Sequence, residues 1–200
     1  MKWVNTYCMD IFLEDPPPPK GEEVLRQMYN ALDSHSNYMI LMGRGSGKSV
    51  YELCTTMMAL STGIQKFIVI VSNNNRAAVN LIKDIWRMVL EPDTPFAQDY
   101  PEICGPYQIA KGSYRRKQMY KNLSTEISKT AGEFVFPRLK RADGTDYPTS
   151  ASILTSRGIS SGIRGLRRGT QRVTCVLLDD LQDAESAANP MQVEKMYQTI

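Results

Sequence analysis

Apolar residues fall into short unbroken runs separated by amphipathic stretches, and the alternation predicts strands and helices in turn. Tyr38–Met42 and Phe67–Val71 are continuous apolar pentapeptides. Each gives way to glycine or polar residues, the form of a strand buried on both faces. Val173–Leu178 is a third such run, ending at Asp179-Asp180, and Ala151–Thr155 is a shorter one. Between them lie helical patterns. Val24, Leu25, Met28, Ala31 and Leu32 recur at helical spacing within Glu22–Leu32, followed by a polar turn over Asp33–Asn37. A second helix runs from the glycine-rich stretch after Met42 to about Leu60 and stops near Gly63. A third spans Arg76–Leu90, with a broad apolar face of Val79, Leu81, Ile82, Ile85, Trp86 and Val89. Strand, helix, strand, helix predicts an α/β fold with a central, mostly parallel sheet flanked by helices.

The remaining chain is less regular. Pro16–Pro19 reads as a stiff extended spacer, so residues 1–36 form a lead-in of spacer and helix, and residues 37–200 form the main domain. Glu91–Pro106 is broken by prolines and predicts irregular structure. Lys111–Lys121 predicts a basic helix. Thr125–Lys129 and Glu133–Pro137, split by Ala131-Gly132, predict a hairpin, and Asp183–Ile200 predicts mostly helix.

The chemistry concentrates where the first apolar run meets the first helix. Gly43-Arg44-Gly45-Ser46-Gly47-Lys48-Ser49 holds three glycines in seven residues. Glycine lets backbone approach a ligand with no Cβ in the way, and amides at a helix start favour phosphate oxygens. In the phosphate-binding pattern G-x-x-x-x-G-K-[ST] the lysine reaches the terminal phosphates and the hydroxyl holds Mg²⁺, the roles of Lys48 and Ser49. The first glycine of that pattern falls on Met42 here, and Gly43 comes one residue late. A nucleotide site also needs a carboxylate near the metal and a group that activates water. Such groups are displayed at strand ends in open α/β sheets. Val176-Leu177-Leu178-Asp179-Asp180 has that form: Asp179 is expected in the Mg²⁺ shell, and Asp180 is the candidate general base.

Net charge is only +3, yet from Lys111 to Arg172 fourteen Lys and Arg face four acids, while the other residues carry ten basic against seventeen acidic. That asymmetry points to a polyanionic partner. Arg157–Gly169 interleaves arginine with glycine. Arg157, Arg164, Arg167 and Arg168 are candidates for DNA phosphate contact, for an arginine finger in a neighbouring subunit's site, or for a solvated loop. Four scattered cysteines and the single His35 imply neither a zinc site nor a disulfide framework, and no apolar run approaches the ~18 residues of a membrane span.

Taken together, Gly43–Ser49, the strand ending at Val71-Ser72-Asn73, Gly162-Ile163-Arg164-Gly165 and Leu177-Leu178-Asp179-Asp180 resemble the ATPase part of the large terminase subunit of tailed bacteriophages, the motor that packages DNA into capsids. The resemblance runs from Tyr38 to Asp183. It implies a RecA-like P-loop NTPase of the ASCE class, with ATP and Mg²⁺ as ligands. Gly43, Arg44, Gly45, Ser46, Gly47, Lys48 and Ser49 would hold the nucleotide, with Arg44 as a γ-phosphate sensor. Ser49 and Asp179 would attend the metal, and Arg44, Lys48 and Asp180 would be catalytic. Arg164, Arg167 and Arg168 would contact DNA. Implied partners are double-stranded DNA, a portal protein, a small terminase subunit and further copies in a ring, without a membrane, in the cytoplasm of an infected bacterial host. The family more often carries glutamate at the place of Asp180. Its members also continue into a coupling segment and a metal-dependent nuclease domain, so nuclease activity is expected only beyond Ile200. Competing readings are a helicase-like or other nucleic-acid-dependent ATPase, a small-molecule kinase, and a DNA-binding module with a relic phosphate loop.

Overall fold

The computed structural model describes residues 2–8, 19–40, 42, 46–110, 117–161 and 165–181. In chain order its elements are α1 (Lys2–Tyr7), α2 (Pro19–Asp33), α3 (Lys48–Thr62), β1 (Phe67–Ser72), α4 (Asn75–Leu90), α5 (Pro95–Asp99) and α6 (Pro101–Ala110). There follow β2 (Lys117–Tyr120), β3 (Leu123–Glu126), β4 (Ser128–Thr130), β5 (Glu133–Val135), β6 (Ile153–Gly158), β7 (Arg167–Arg168), β8 (Gln171–Arg172) and β9 (Cys175–Asp179). The main sheet has the order β4-β5-β6-β1-β9. Its centre is parallel: β1 pairs with β6 on one side and β9 on the other. β4 and β5 extend it as an antiparallel hairpin. The chain is therefore a mixed α/β protein whose sheet is parallel where it matters for the site. Among the described residues no helix is long and apolar enough to cross a membrane.

Every residue of β1 is buried, as its unbroken apolar run requires. Alternate side chains serve different layers. Ile68 and Ile70 pack with α3 and α4, while Phe67, Val69 and Val71 face the other side with Ile153, Leu166 and Val173. Helices thus cover one face, and the connection from β6 to β9 crosses the other. Thr174 fastens that connection to the start of β1: its hydroxyl accepts from the Phe67 N–H at 3.1 Å and donates to the Phe67 carbonyl at 3.2 Å. α3 ends at Gly63, whose φ of 77° and close approach to Pro148 leave no room for a Cβ. On the helical face, Trp86 of α4 meets Tyr107 and Phe134 edge-on, with centroids 4.7 and 5.0 Å away. The Lys129 ammonium lies 3.9 Å from the Trp86 ring centre. α1 joins the same core through Val4; Trp3 meets Phe96 edge-on and donates its indole N–H to the Tyr100 hydroxyl at 2.9 Å, and Tyr7 meets Phe96 and Tyr100 edge-on.

Several expectations need correction. The described part of Tyr38–Met42 is not a buried strand: Tyr38 and Met39 are 41% and 81% exposed, and residues 36–40 join no sheet, while Leu41 lies outside the described residues. The Tyr38 hydroxyl instead donates to the Gln27 side chain on α2, and among the described residues no strand pairs with the outer edge of β9. Glu91–Pro106 is irregular only over Glu91–Thr94 and at Tyr100: Pro95 and Pro101 occupy first-turn positions, where proline's missing N–H costs nothing, and Pro106 is accommodated inside α6. Pro19 opens α2 in the same way. The basic helix over Lys111–Lys121 is replaced in its described part by β2, which turns at Lys121 and Asn122, both left-handed, and returns as β3. The hairpin around Ala131-Gly132 is present but shorter than predicted, and Thr125 belongs to β3. The strand from Ala151 starts two residues later and runs on to Gly158. Lys111–Arg116 and Asp183–Ile200 lie outside the described residues.

Trp86→Ala removes the hub of the aromatic cluster. It should destabilise the chain by about 3–5 kcal/mol, the range for truncating a buried aromatic, read as a lower urea midpoint at unchanged slope.

Candidate anion and carboxylate site at the sheet end

The parallel register brings Ser72 of β1 beside Asp179 of β9 at the C-terminal end of the sheet. α3 starts at the same end. Gly47 precedes it in the left-handed conformation, with φ of 77°, and gives the helix no side-chain cap. The first turn carries Lys48 and Ser49 and no acid. A cation at an uncapped helix start opposes the positive end of the helix dipole. One contact offsets that cost: the Lys48 Nζ meets Asp179 Oδ1 at 2.9 Å, with Asp179 only 13% exposed. The Gly47 carbonyl accepts the Val50 and Tyr51 amides at 2.9 and 3.3 Å, so an anion at this helix start would be met by the Lys48 and Ser49 amides. Burial opposes the Lys48 charge. The Asp179 carboxylate, reinforced by Glu52 and Asp180, outweighs it and holds the lysine's pKa above its ordinary value.

Asp179 and Asp180 part company, as successive residues at a strand end do. Asp179 is half-buried and faces Lys48. Asp180 is exposed, adopts a left-handed φ of 46°, and accepts the Asn73 N–H on its carbonyl at 3.3 Å. That last bond continues the β1–β9 pairing past the strand ends. Asn74 then caps α4, accepting the Arg76 N–H at 2.9 Å. Ser46 and Ser49 are exposed beside this end, whereas Gly43, Arg44 and Gly45 lie outside the described residues.

Glu52 was not foreseen from sequence. It stands one helical turn beyond Lys48, is only 8% exposed, hydrogen-bonds Asp179, and leaves Oε2 buried with no partner. Burial first, and the Asp179 charge second, push its carboxyl up to about 8. The available signal was an acid at the i+4 position from the motif lysine, inside an otherwise apolar helix. Lys48, Glu52 and Thr55 line a cleft of about 600 Å³ between Tyr38–Ile40 and the open side of β9. Among the described residues no group of three or more His, Cys, Asp or Glu is arranged to hold a metal. The donors available, the Ser49 hydroxyl and the Asp179 carboxylate, are hard oxygens. They suit Mg²⁺, which takes one or two protein ligands and completes its shell with phosphate and water.

The arginines expected at DNA divide. Arg168 is bound to Glu133 at 2.8 Å, Arg167 is exposed, and Arg164 lies outside the described residues. Comparison with protein-family models, curated proteins and solved structures finds no match for this chain.

Glu52 sets a pH dependence. Folding raises its pKa from 4.5 to about 8, so between those values the folded chain holds a proton that the unfolded chain has released. Stability should therefore fall as pH rises from about 4.5 to 8. Glu52→Gln, neutral throughout, should flatten that fall. Urea midpoints for the two proteins at intervals across this range test it, and parallel curves would contradict it.

Proposed function

We propose that the chain is the ATP-hydrolysing motor domain of a DNA-translocating machine, of the large terminase subunit type, with a P-loop NTPase fold. The observation that carries this reading is the Lys48–Asp179 contact. A glycine-loop lysine and a strand-end aspartate, more than a hundred residues apart in sequence, meet at the end of parallel strands. The start of α3, without a side-chain cap, lies beside them.

In this reading the first-turn amides of α3 and the Lys48 ammonium bind the phosphates of ATP. Lys48 then exchanges the Asp179 carboxylate for phosphate oxygens, which frees Asp179 to turn toward the metal with Ser49. Mg²⁺, when bound there, would neutralise phosphate charge and orient the terminal phosphate. Asp180, on the outward turn after β9, accepts the proton of the attacking water. Arg44 is assigned to the γ-phosphate by resemblance. The basic Lys111–Arg172 segment supports a polyanion as the second partner, and duplex DNA fits the resemblance. The portal protein, the small terminase subunit, ring assembly and host cytoplasm belong to the same proposal.

The decisive experiment is an ATPase assay with and without duplex DNA. Lys48→Ala should weaken nucleotide binding by roughly 10–100-fold, the worth of one charge-assisted hydrogen bond, with the circular dichroism spectrum retained. Unchanged affinity in the folded variant would remove the phosphate-loop assignment.

A second set separates the aspartates. Asp180→Asn should keep ATP and Mg²⁺ affinity and lose turnover by ~10²–10⁴-fold, as general-base loss does. Asp179→Asn should in addition blunt the Mg²⁺ dependence of nucleotide binding. Full turnover in Asp180→Asn would place the base elsewhere.

A further inference from the structure

The β7–β8 hairpin sorts its four side chains by face. Arg167 lies directly opposite Arg172, and Arg168 opposite Gln171, across a turn at Gly169-Thr170. The inner pair is anchored to the body of the protein. Arg168 Nη1 donates to Glu133 Oε1 at 2.8 Å, and Gln171 Nε2 donates to the Ala151 carbonyl at 3.3 Å. The outer pair, Arg167 and Arg172, is exposed, and among the described residues neither forms an ion pair. Like charges directly opposite one another weaken a strand pair. A two-residue ladder has little else to offset that, and the inner anchors hold the two cations together.

We propose that Arg167 and Arg172 form a phosphate-gripping pair for the backbone of duplex DNA, with Arg168 and Gln171 positioning the hairpin that carries them. The pairing places the two Cα atoms about 5 Å apart, and each guanidinium presents a planar fork of donors matched to phosphate oxygens. Anchoring the inner face removes much of the ordering cost that a free loop would meet on binding. The contact carries no base readout, so it suits a protein that must hold any sequence. Lys48 and Asp179 take no part in it. The inference rests on the proposed function only for the identity of the polyanion.

The test is fluorescence anisotropy of a labelled duplex of arbitrary sequence, titrated with the full chain over a range of salt. Arg167→Gln/Arg172→Gln should weaken binding by roughly 10–100-fold at about 0.1 M salt and flatten the log–log salt slope by about 1.8, the effect of two lost phosphate contacts. Arg167→Lys/Arg172→Lys should keep the wild-type slope. Arg168→Gln releases the hairpin from Glu133, so it should weaken binding through lost positioning while changing the slope by less than about half a contact, because Arg168 itself grips no phosphate. A wild-type slope in the double glutamine variant overturns the proposal. So does absence of duplex binding by the wild-type chain, or equal affinity for a single strand of the same length. Lys48→Ala runs alongside: if nucleotide binding proves independent of Lys48 while the arginine dependence holds, the ATPase reading fails and the DNA site stands.

Discussion

The parallel register between β1 and β9 decides where the chemistry sits. Ser72 beside Asp179 fixes the strand end, and α3, packed on β1, delivers Lys48 to the same place. Shift the pairing by one residue and Asp179 would turn to the opposite face, away from the lysine. The Thr174 clasp on Phe67 guards one end of that register, and the Asn73–Asp180 backbone bond guards the other. Between them, fully buried Ile68 and Ile70 on one face and Val69 and Val71 on the other leave β1 no alternative seating.

Much of this was legible because the signals were long or chemically specific. An unbroken apolar run in β1, a broad apolar face on α4, and glycine just past the end of α3 each have one natural reading, and the structure follows them. Lys48 and Asp179 were readable as neighbours of one site, since both residue types fall at ends that an α/β sheet brings together, but their direct ion pair was not. What sequence did not give was context. Tyr38–Ile40 has the composition of a buried strand, but burial depends on a partner edge, and the nearest hydrogen bond on offer was Gln27 of α2. The prolines of Glu91–Pro106 have the composition of breakers, yet Pro95 and Pro101 stand at helix starts, where proline is neutral, and the surrounding packing carries Pro106 inside α6. Glu52 was hidden by its surroundings: a lone acid in an apolar helix looks like an exposed position until the neighbouring strand end is known. Arg168 carried the same charge as Arg167, and only Glu133, arriving from another strand, tells them apart.

The two proposed activities occupy separate supports. The carboxylate site stands at the C-terminal end of the sheet, with α3 on the helical face. The arginine hairpin belongs to the connection that crosses the opposite face, with Leu166 and Val173 on either side of it packing against β1 and β6. That connection leads straight into β9, which ends at Asp179. Along the chain, one short strand therefore joins the hairpin to the site.

The central position of β1 also has a cost in time. Its two partners arrive late: Ile153 follows Phe67 by more than eighty residues, and Cys175 follows Ile68 by more than a hundred. At a synthesis rate of ~5–20 residues per second, β1 waits roughly 5–20 s for its second neighbour. During that interval Phe-Ile-Val-Ile-Val, with no charge and no proline, offers both edges to any strand nearby, the composition that seeds intermolecular β-pairing. α3 and α4, which flank it in sequence, cover one face early but no edge. The strand that organises the finished molecule is thus also the segment most in need of protection while the molecule is being made.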